Sequence, residues 1–337
     1  LETASLYLHI PFCHTRCHYC DFNTYAGILP LREPYVRALL TEIATTGTLA
    51  RLPSGKPRRS RTIFFGGGTP SLLSVEQITR ILNACSTSFS VDEGAEITLE
   101  ANPGTLSQEQ LAGLRSAGIN RLSMGAQSFD AQLLKTLGRI HSPEEITQAM
   151  QYARAAGFTS INLDFMFGLP GQTMRHWRET LDRALDLHYE NYEISNWSLP
   201  GHQSRHNLTY WHNLPYLGMG AGAYSFFGSR RFSNVREPLA YIRLLRAGQR
   251  PEAESESESV DRAQAMSETA FLALRTAMGL HLPTFEERFS QPFTQFASNR
   301  LQLVEEAGLL EHDHDWLRLS KRGRLLGNEV FLRLLPD

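Results

Sequence analysis

The first two-thirds of the chain alternates short β-rich runs with stretches of helical period, and few folds accommodate that alternation. Strands are read at SLYLHI, TIFF, EITLE, RLSM and INLDFMF, with amphipathic segments between them. Strand, helix and parallel strand in repetition build a parallel sheet covered by helices. Two helices carry their own punctuation. SQEQLAGLRSAG opens on Ser107, has Gln110 three residues on and closes on Gly118. SPEEITQAMQYARAAG has Ser142 as N-cap, Pro143 at the first helical position, Glu145 completing a capping box and Gly157 as the stop.

A chain of 337 residues with 42% hydrophobic side chains buries one large core and leaves length for a smaller domain. The expected division is a partial barrel over 1–250, an acidic linker over 251–260 (in PEAESESESVD) and a C-terminal domain over 261–337. The last part reads as a long helix (Arg262 to Met278), PTFEERF, QFASNRLQLVEEAG, a hairpin LLEHDHDWLRLS and a final helix in KRGRLLGNEVFLRLL, an order similar to a winged helix. Winged helices often bind DNA, yet Glu305, Glu306, Glu311, Asp313 and Asp315 weigh here as much as arginine. A packing or lid role is expected instead.

The basic stretch RLPSGKPRRSR, following a helix near Pro34 to Thr46, lacks interleaved aromatics and reads as a solvated loop. With 33 basic and 35 acidic residues the net charge is -2, so no global field draws the chain to nucleic acid or an anionic membrane. No apolar run approaches the roughly 20 residues of a membrane helix, and LETASLYLHIPFC lacks the marks of a signal peptide. A cytosolic protein is expected.

Of four cysteines, Cys13, Cys17 and Cys20 fall within eight positions directly after the first strand. That spacing is not a disulfide framework, and the end of a parallel strand is where such sheets place ligands. Thiolates select zinc or iron-sulfur clusters. Zinc would need a fourth ligand, His14 or His18, but there is no second pair of ligands along the chain. A [4Fe-4S] cluster on three cysteines leaves one iron open to another ligand. Cys85 shares a helical stripe with Val75, Ile78 and Leu82 and reads as a buried apolar side chain.

CxxxCxxC after a strand resembles the radical S-adenosylmethionine superfamily, whose open iron chelates that cofactor. Joined in order with TIFFGGGTPS, LEANPGTL, RLSMGAQSF, LGRIH, NLDFMFGLPGQ and HNLTYW, it resembles the oxygen-independent coproporphyrinogen III oxidase-like branch over nearly the whole chain. The resemblance implies an incomplete parallel (β/α)6 TIM-like barrel and a cluster on Cys13, Cys17 and Cys20. It implies S-adenosylmethionine contacts from Tyr7, Tyr19, Gly67, Gly68, Thr69, Glu100, Gln127, Arg139 and Asp164, with Gly220 to Tyr224, Gly222 and Tyr224 among them, close by. Its chemistry is reductive cleavage of the sulfonium to a 5'-deoxyadenosyl radical, fed by an electron donor. In the oxidases that radical leads to decarboxylation of a porphyrinogen.

The oxidases resemble CxxxCxxCxC, whereas Phe22 stands two positions after Cys20, and the chain begins just before its first strand. Both departures match the heme-chaperone members of the branch, for which heme is cargo for acceptor proteins. HNLTYW is linked there to heme binding, which makes His206 the candidate ligand, with Tyr210 and Trp211 beside it. The oxidase activity is the alternative. The branch also implies a longer passage, with another strand and helix, between Leu187 or His188 and YENYEISNW. Here the two nearly adjoin, so either a loop between His188 and Tyr189 is missing from this sequence or the barrel is shorter, with YEISNW as its sixth strand.

Overall fold

The computed structural model describes residues 2–186, 188–194 and 196–335, apart from the side chains of Glu254 and Asn299. Leu187, named above as a helix end, and Ser195 of YEISNW lie outside the described residues.

The core is a sheet whose first strands follow the expected alternation: β1 (Ser5–Ile10), α1 (Arg32–Leu49), β2 (Arg59–Gly67), α2 (Val75–Ser88), β3 (Ser90–Ala101), α3 (Gln108–Ala117), β4 (Arg121–Gln127), α4 (Ala131–Thr136), α5 (Pro143–Ala155), β5 (Ser160–Phe165) and α6 (Met174–Asp186). Strand β1 shows why it forms. Leu6, Leu8 and Ile10 are fully buried in the main apolar cluster, while Ser5, Tyr7 and His9 alternate with them onto the other face. Helix α5 has the full Ser142–Glu145 capping box. At α3 only the Ser107 half forms, accepting from the Gln110 N–H.

Two short strands follow, β6 (Glu190–Asn191) and β7 (Asn196–Ser198), then α7 (Arg205–Trp211), β8 (Tyr216–Met219), β9 (Tyr224–Phe227), β10 (Arg230–Ser233), α8 (Pro238–Arg246) and β11 (Glu258–Ser259). The sheet order is β11-β10-β9-β8-β1-β2-β3-β4-β5-β7-β6. Six strands, β8 and β1 to β5, are mutually parallel, so the α/β fold is the expected one.

YEISNW is not a parallel sixth strand. It reverses on itself: β7 runs antiparallel to both β5 and β6. Asn191 closes the turn by donating to the Glu193 and Asn196 carbonyls at 2.5 and 3.3 Å, and the Tyr192 N–H bonds back to Asn196 at 3.2 Å. The sixth parallel strand is β8, at the opposite side of the sheet beside β1.

The basic stretch is also only partly a loop. Arg59, Ser60 and Arg61 belong to β2, because that strand keeps pairing with β3 through a bulge between Ser60 and Thr62. PEAESESESVD is not free of the fold either. Its acids meet Arg230 and Arg231 through Glu252 and Glu258, and β11 adds a strand to β10.

A second apolar cluster surrounds Phe285, Leu317 and Val330. It is built by α9 (Arg262–Ala273), β12 (Leu280–His281), α10 (Leu282–Phe289), α11 (Phe293–Ala297), α12 (Gln302–Glu306), β13 (Leu310–Asp313), β14 (Trp316–Leu319), α13 (Lys321–Leu325) and α14 (Gly327–Leu334). Strands β12, β14 and β13 form a small antiparallel sheet, giving the winged-helix order. Arg231 to Glu268 at 2.8 Å and Asn213 to Thr269 at 3.2 Å tie this part to the barrel.

Candidate cofactor site

The loops at the C-terminal ends of the parallel strands bring together most of the residues singled out above. The segment after β1 is pinned by a two-residue ladder of Phe12–Cys13 with Tyr25–Ala26, and Asn23 donates to the carbonyls of Ala221 and Arg236 at 2.9 Å. From this loop Cys13 is buried, while Cys17 and Cys20 are half-exposed. Burial raises the Cys13 thiol above its ordinary value, and the neighbouring Cys20 and Cys17 raise it further. Three sulfurs therefore share one electrostatic neighbourhood. Cys85 lies fully buried in α2 and takes no part.

The glycine motif crosses beneath this loop. The Gly68 N–H donates to the Ile10 carbonyl and the Thr69 N–H to the Phe12 carbonyl, both at 2.8 Å. A Cβ on Gly68 would lie 2.5 Å from the Phe12 oxygen and 3.0 Å from Cys13 Sγ, and at Gly67 (φ +116°) it would strike the His9 ring at 2.6 Å. Only glycine permits that approach. The Thr69 hydroxyl points to Cys13 Sγ at 3.8 Å and accepts from Asn102 Nδ2 at 3.2 Å.

Asn102 then passes the connection on. Its Oδ1 accepts from Arg139 at 2.6 Å, and the same guanidinium reaches the Gly125 carbonyl at 2.6 Å, Tyr19 Oη at 3.5 Å and Cys17 Sγ at 3.6 Å. Burial drives the Tyr19 phenol up to about 12. Gln127 sits at a break in the β4–β5 register with φ +63°, an uncommon conformation for a non-glycine residue, and its amide lies beside Arg139 at the β4 end.

Glu100 and Asp164, half-buried, stand near the C-terminal ends of β3 and β5. Glu100 accepts the Gly67 N–H at 3.0 Å. Burial, then the Asp164 charge, lifts it to about 8 against that bond. Asp164 is lifted to about 6 by burial, although Ser123, Arg121 and Arg139 favour its charged form. Two carboxyls held out of water and raised together are what a cationic or hydroxyl-rich ligand relieves.

Gly222 packs against Asn23 of the cysteine loop. Tyr224 does not join the site: it is 42% exposed, and its hydroxyl donates to Glu256 at 2.8 Å. His206 is separate too. It lies in the first turn of α7, which inserts at the N-terminal ends of the strands, where the Arg205 and His206 N–H groups bond to Glu96 at 3.0 Å. Its Nδ1 meets Thr62 Oγ1 and its Nε2 meets Tyr210 Oη, each at 2.8 Å, and Phe64 stacks on it at 4.9 Å. It is fully buried, and burial lowers its pKa to about 3. Both ring nitrogens are thus engaged within the fold in this arrangement.

Sequence reasoning passed over His9, Asn23 and Asn102. His9 bridges the Tyr7 hydroxyl at 3.0 Å and the Asn23 carbonyl at 2.9 Å, and burial keeps it neutral, with its pKa near 4. His9 and Asn102 stand inside the quoted runs SLYLHIPFC and LEANPGTL, so the signal was present. Asn23 shows only through the fold.

The residues fit a cluster with an amino-acid-bearing cofactor. Among the described residues no three His, Cys, Asp or Glu side chains converge on one metal ion. A cubane does not ask for that, because each thiolate binds a different iron.

Comparison with known proteins agrees with this geometry. A family model described as the radical SAM superfamily matches residues 7–184, and one described as the HemN C-terminal domain matches 260–326. The chain is 34% identical to heme chaperone HemW of Bacillus subtilis, covering 99% of each chain. It is 33% identical to heme chaperone HemW of Escherichia coli, covering 100% of this chain and 99% of the relative. The Bacillus alignment spans 383 positions against 337 residues here, so at least 46 of its positions have no counterpart in this chain. Among solved structures the fold is similar to coproporphyrinogen III oxidase (HemN) from Escherichia coli, titled a radical SAM enzyme. The TM-score is 0.82 at 23% identity, over 98% of this chain and 89% of the other.

Proposed function

For a chain that belongs to the radical SAM superfamily and, within it, to the family of heme chaperone HemW, we propose a heme chaperone. It holds a [4Fe-4S] cluster on Cys13, Cys17 and Cys20, binds S-adenosylmethionine at the strand ends, and binds heme for delivery to acceptor proteins. The observation that carries this reading is the cysteine loop itself. It supplies three thiols and no fourth, with Phe22 standing 69% exposed where an oxidase-like loop would place another cysteine.

The residues have separable tasks. Gly67 and Gly68 let the backbone close on the amino-acid end of the cofactor, and Thr69, Asn102 and Arg139 hold that backbone in fixed relation to Cys13 and Cys17. Glu100 and Asp164 offer carboxylates to the cationic and hydroxyl groups. When bound, the cluster supplies the electron for carbon-sulfur cleavage. Phe22, Ile140 and Phe167 on loops and Met174 at the start of α6 are each more than half exposed and form an apolar rim suited to a protein electron donor.

The test is anaerobic reconstitution with iron and sulfide, then hemin titration and a coproporphyrinogen III assay with S-adenosylmethionine and a reductant on one sample. Stoichiometric heme uptake without decarboxylation is expected. Turnover of the porphyrinogen would replace the chaperone with an oxidase.

A further inference from the structure

On α1, Glu42 is 5% exposed, and three neutral donors converge on it. Its Oε2 accepts from the Gly220 N–H at 2.7 Å and from the Tyr241 hydroxyl of α8 at 2.5 Å, and its Oε1 accepts from Asn234 Nδ2 at 2.6 Å. Burial lifts its pKa to about 7 against those three bonds. Enclosing a carboxylate among neutral groups is unfavourable. An amide would not replace it, because its NH2 would face one of the three donors.

The carboxylate holds Gly220 to Gly222, directly after β8, and that segment lies against the cysteine loop. Gly220 is held at both backbone groups, since Asn234 Nδ2 also donates to its carbonyl at 2.9 Å. At φ +108° a Cβ on Gly220 would lie 2.5 Å from the His9 oxygen and 2.7 Å from Tyr35 Oη, so the glycine is pressed onto the end of β1. Tyr35 is fully buried on α1, about two turns before Glu42. Its hydroxyl donates to the His9 carbonyl and accepts from the Ala221 N–H, both at 2.8 Å. The Ala221 carbonyl in turn accepts from Asn23 Nδ2 at 2.9 Å, and a Cβ on Gly222 would strike that same amide. Through Glu42 and Tyr35, α1 therefore grips a segment that backs both the last residues of β1 and the loop of the three cysteines.

Resting on the cluster and cofactor reading above, we infer that Glu42 is a positioning residue for S-adenosylmethionine. Acting through Gly220 to Gly222, it fixes where the cysteine loop stands relative to the glycine motif, without touching cluster or cofactor itself.

The test titrates S-adenosylmethionine into anaerobically reconstituted Glu42→Gln, Tyr241→Phe and Leu39→Ala proteins. Binding is read by calorimetry and by electron paramagnetic resonance of the reduced cluster. Leu39, fully buried on the same helix, is the control for loosened packing. Glu42→Gln is expected to keep the wild-type iron content, weaken S-adenosylmethionine about tenfold and shift the g values of the cofactor-bound cluster. Tyr241→Phe withdraws one donor and leaves the carboxylate, so it should move both readouts the same way and less far. Leu39→Ala should lower Tm and leave affinity and g values as in the wild type. Wild-type affinity and g values in Glu42→Gln, or in Tyr241→Phe where Glu42→Gln does not fold, would make Glu42 a fold anchor only and overturn the inference. An equal loss in Leu39→Ala would overturn it too. If the wild type itself assembles no cluster or binds no S-adenosylmethionine, the cofactor reading fails and takes the inference with it.

Discussion

The two ends of the same barrel are built on opposite principles. At the C-terminal ends of the strands Glu100 and Asp164 are raised together, Gln127 holds a left-handed backbone, and glycines leave space beside Cys13. At the N-terminal ends the interior is closed by α7, whose His206 has both ring nitrogens bonded and a ring stacked on it. Raised carboxyls and strained backbone mark the end suited to a ligand, and a doubly bonded, stacked imidazole marks where the fold is held.

If that contrast is right, the largest effect comes from Cys17→Ala. Cluster assembly should fail, with iron content and brown colour falling to background while the apo fold is kept; an unchanged iron content would remove the cysteine loop from the site. Gly68→Val comes next. Its Cβ would meet the Phe12 carbonyl and Cys13 Sγ, so S-adenosylmethionine binding, read by calorimetry, should be lost.

His206→Ala should act on the other end alone. Emptying the core and stranding Thr62 and Tyr210 is expected to cost about 3 kcal/mol in denaturant unfolding, with cofactor affinity per folded molecule unchanged. A large affinity loss at unchanged stability would break the division between the two ends.

Glu100→Gln sharpens it through pH. Glu100 and Asp164 are raised from 4.5 to about 8 and from 3.8 to about 6, so the folded apo chain keeps protons that the unfolded chain releases. Stability should therefore fall as pH rises from about 4 to 8. The variant should flatten that fall in the apo protein, raising Tm at pH 8, while weakening S-adenosylmethionine. A lower Tm at pH 8 would mean the carboxylate is a structural anchor. Smallest of all, Tyr224→Phe removes only a hydroxyl bonded to Glu256 on an exposed strand. Its stability should stay within about 0.5 kcal/mol, with cofactor binding unaffected.

Much of the cofactor end was legible in advance because it is written in contiguous runs. Cys13 to Cys20, the glycines at 66–68 and the strand-ending acids each sit beside a period-two strand that shows which end they occupy. The other end was not. His206 and His212 stand six residues apart in one polar and aromatic run, HNLTYWH, and nothing local says which imidazole is enclosed. That depends on Thr62 and Phe64, about 140 residues earlier. The same applies to Tyr224, whose motif placed it near the cofactor while β9 turned it toward Glu256.

The sequence by itself determined the parallel α/β sheet, the capped helices and the chemistry of the three-thiol loop, since each rests on period, caps or spacing within about 20 residues. Only the tertiary structure decided that YEISNW turns back on itself, that the sixth parallel strand lies beside β1, and that Asn102 links the glycine motif to Arg139. These are choices among long-range pairings of similar local segments. They are settled by which buried polar groups find partners across the fold, and that quantity does not exist until the chain has closed.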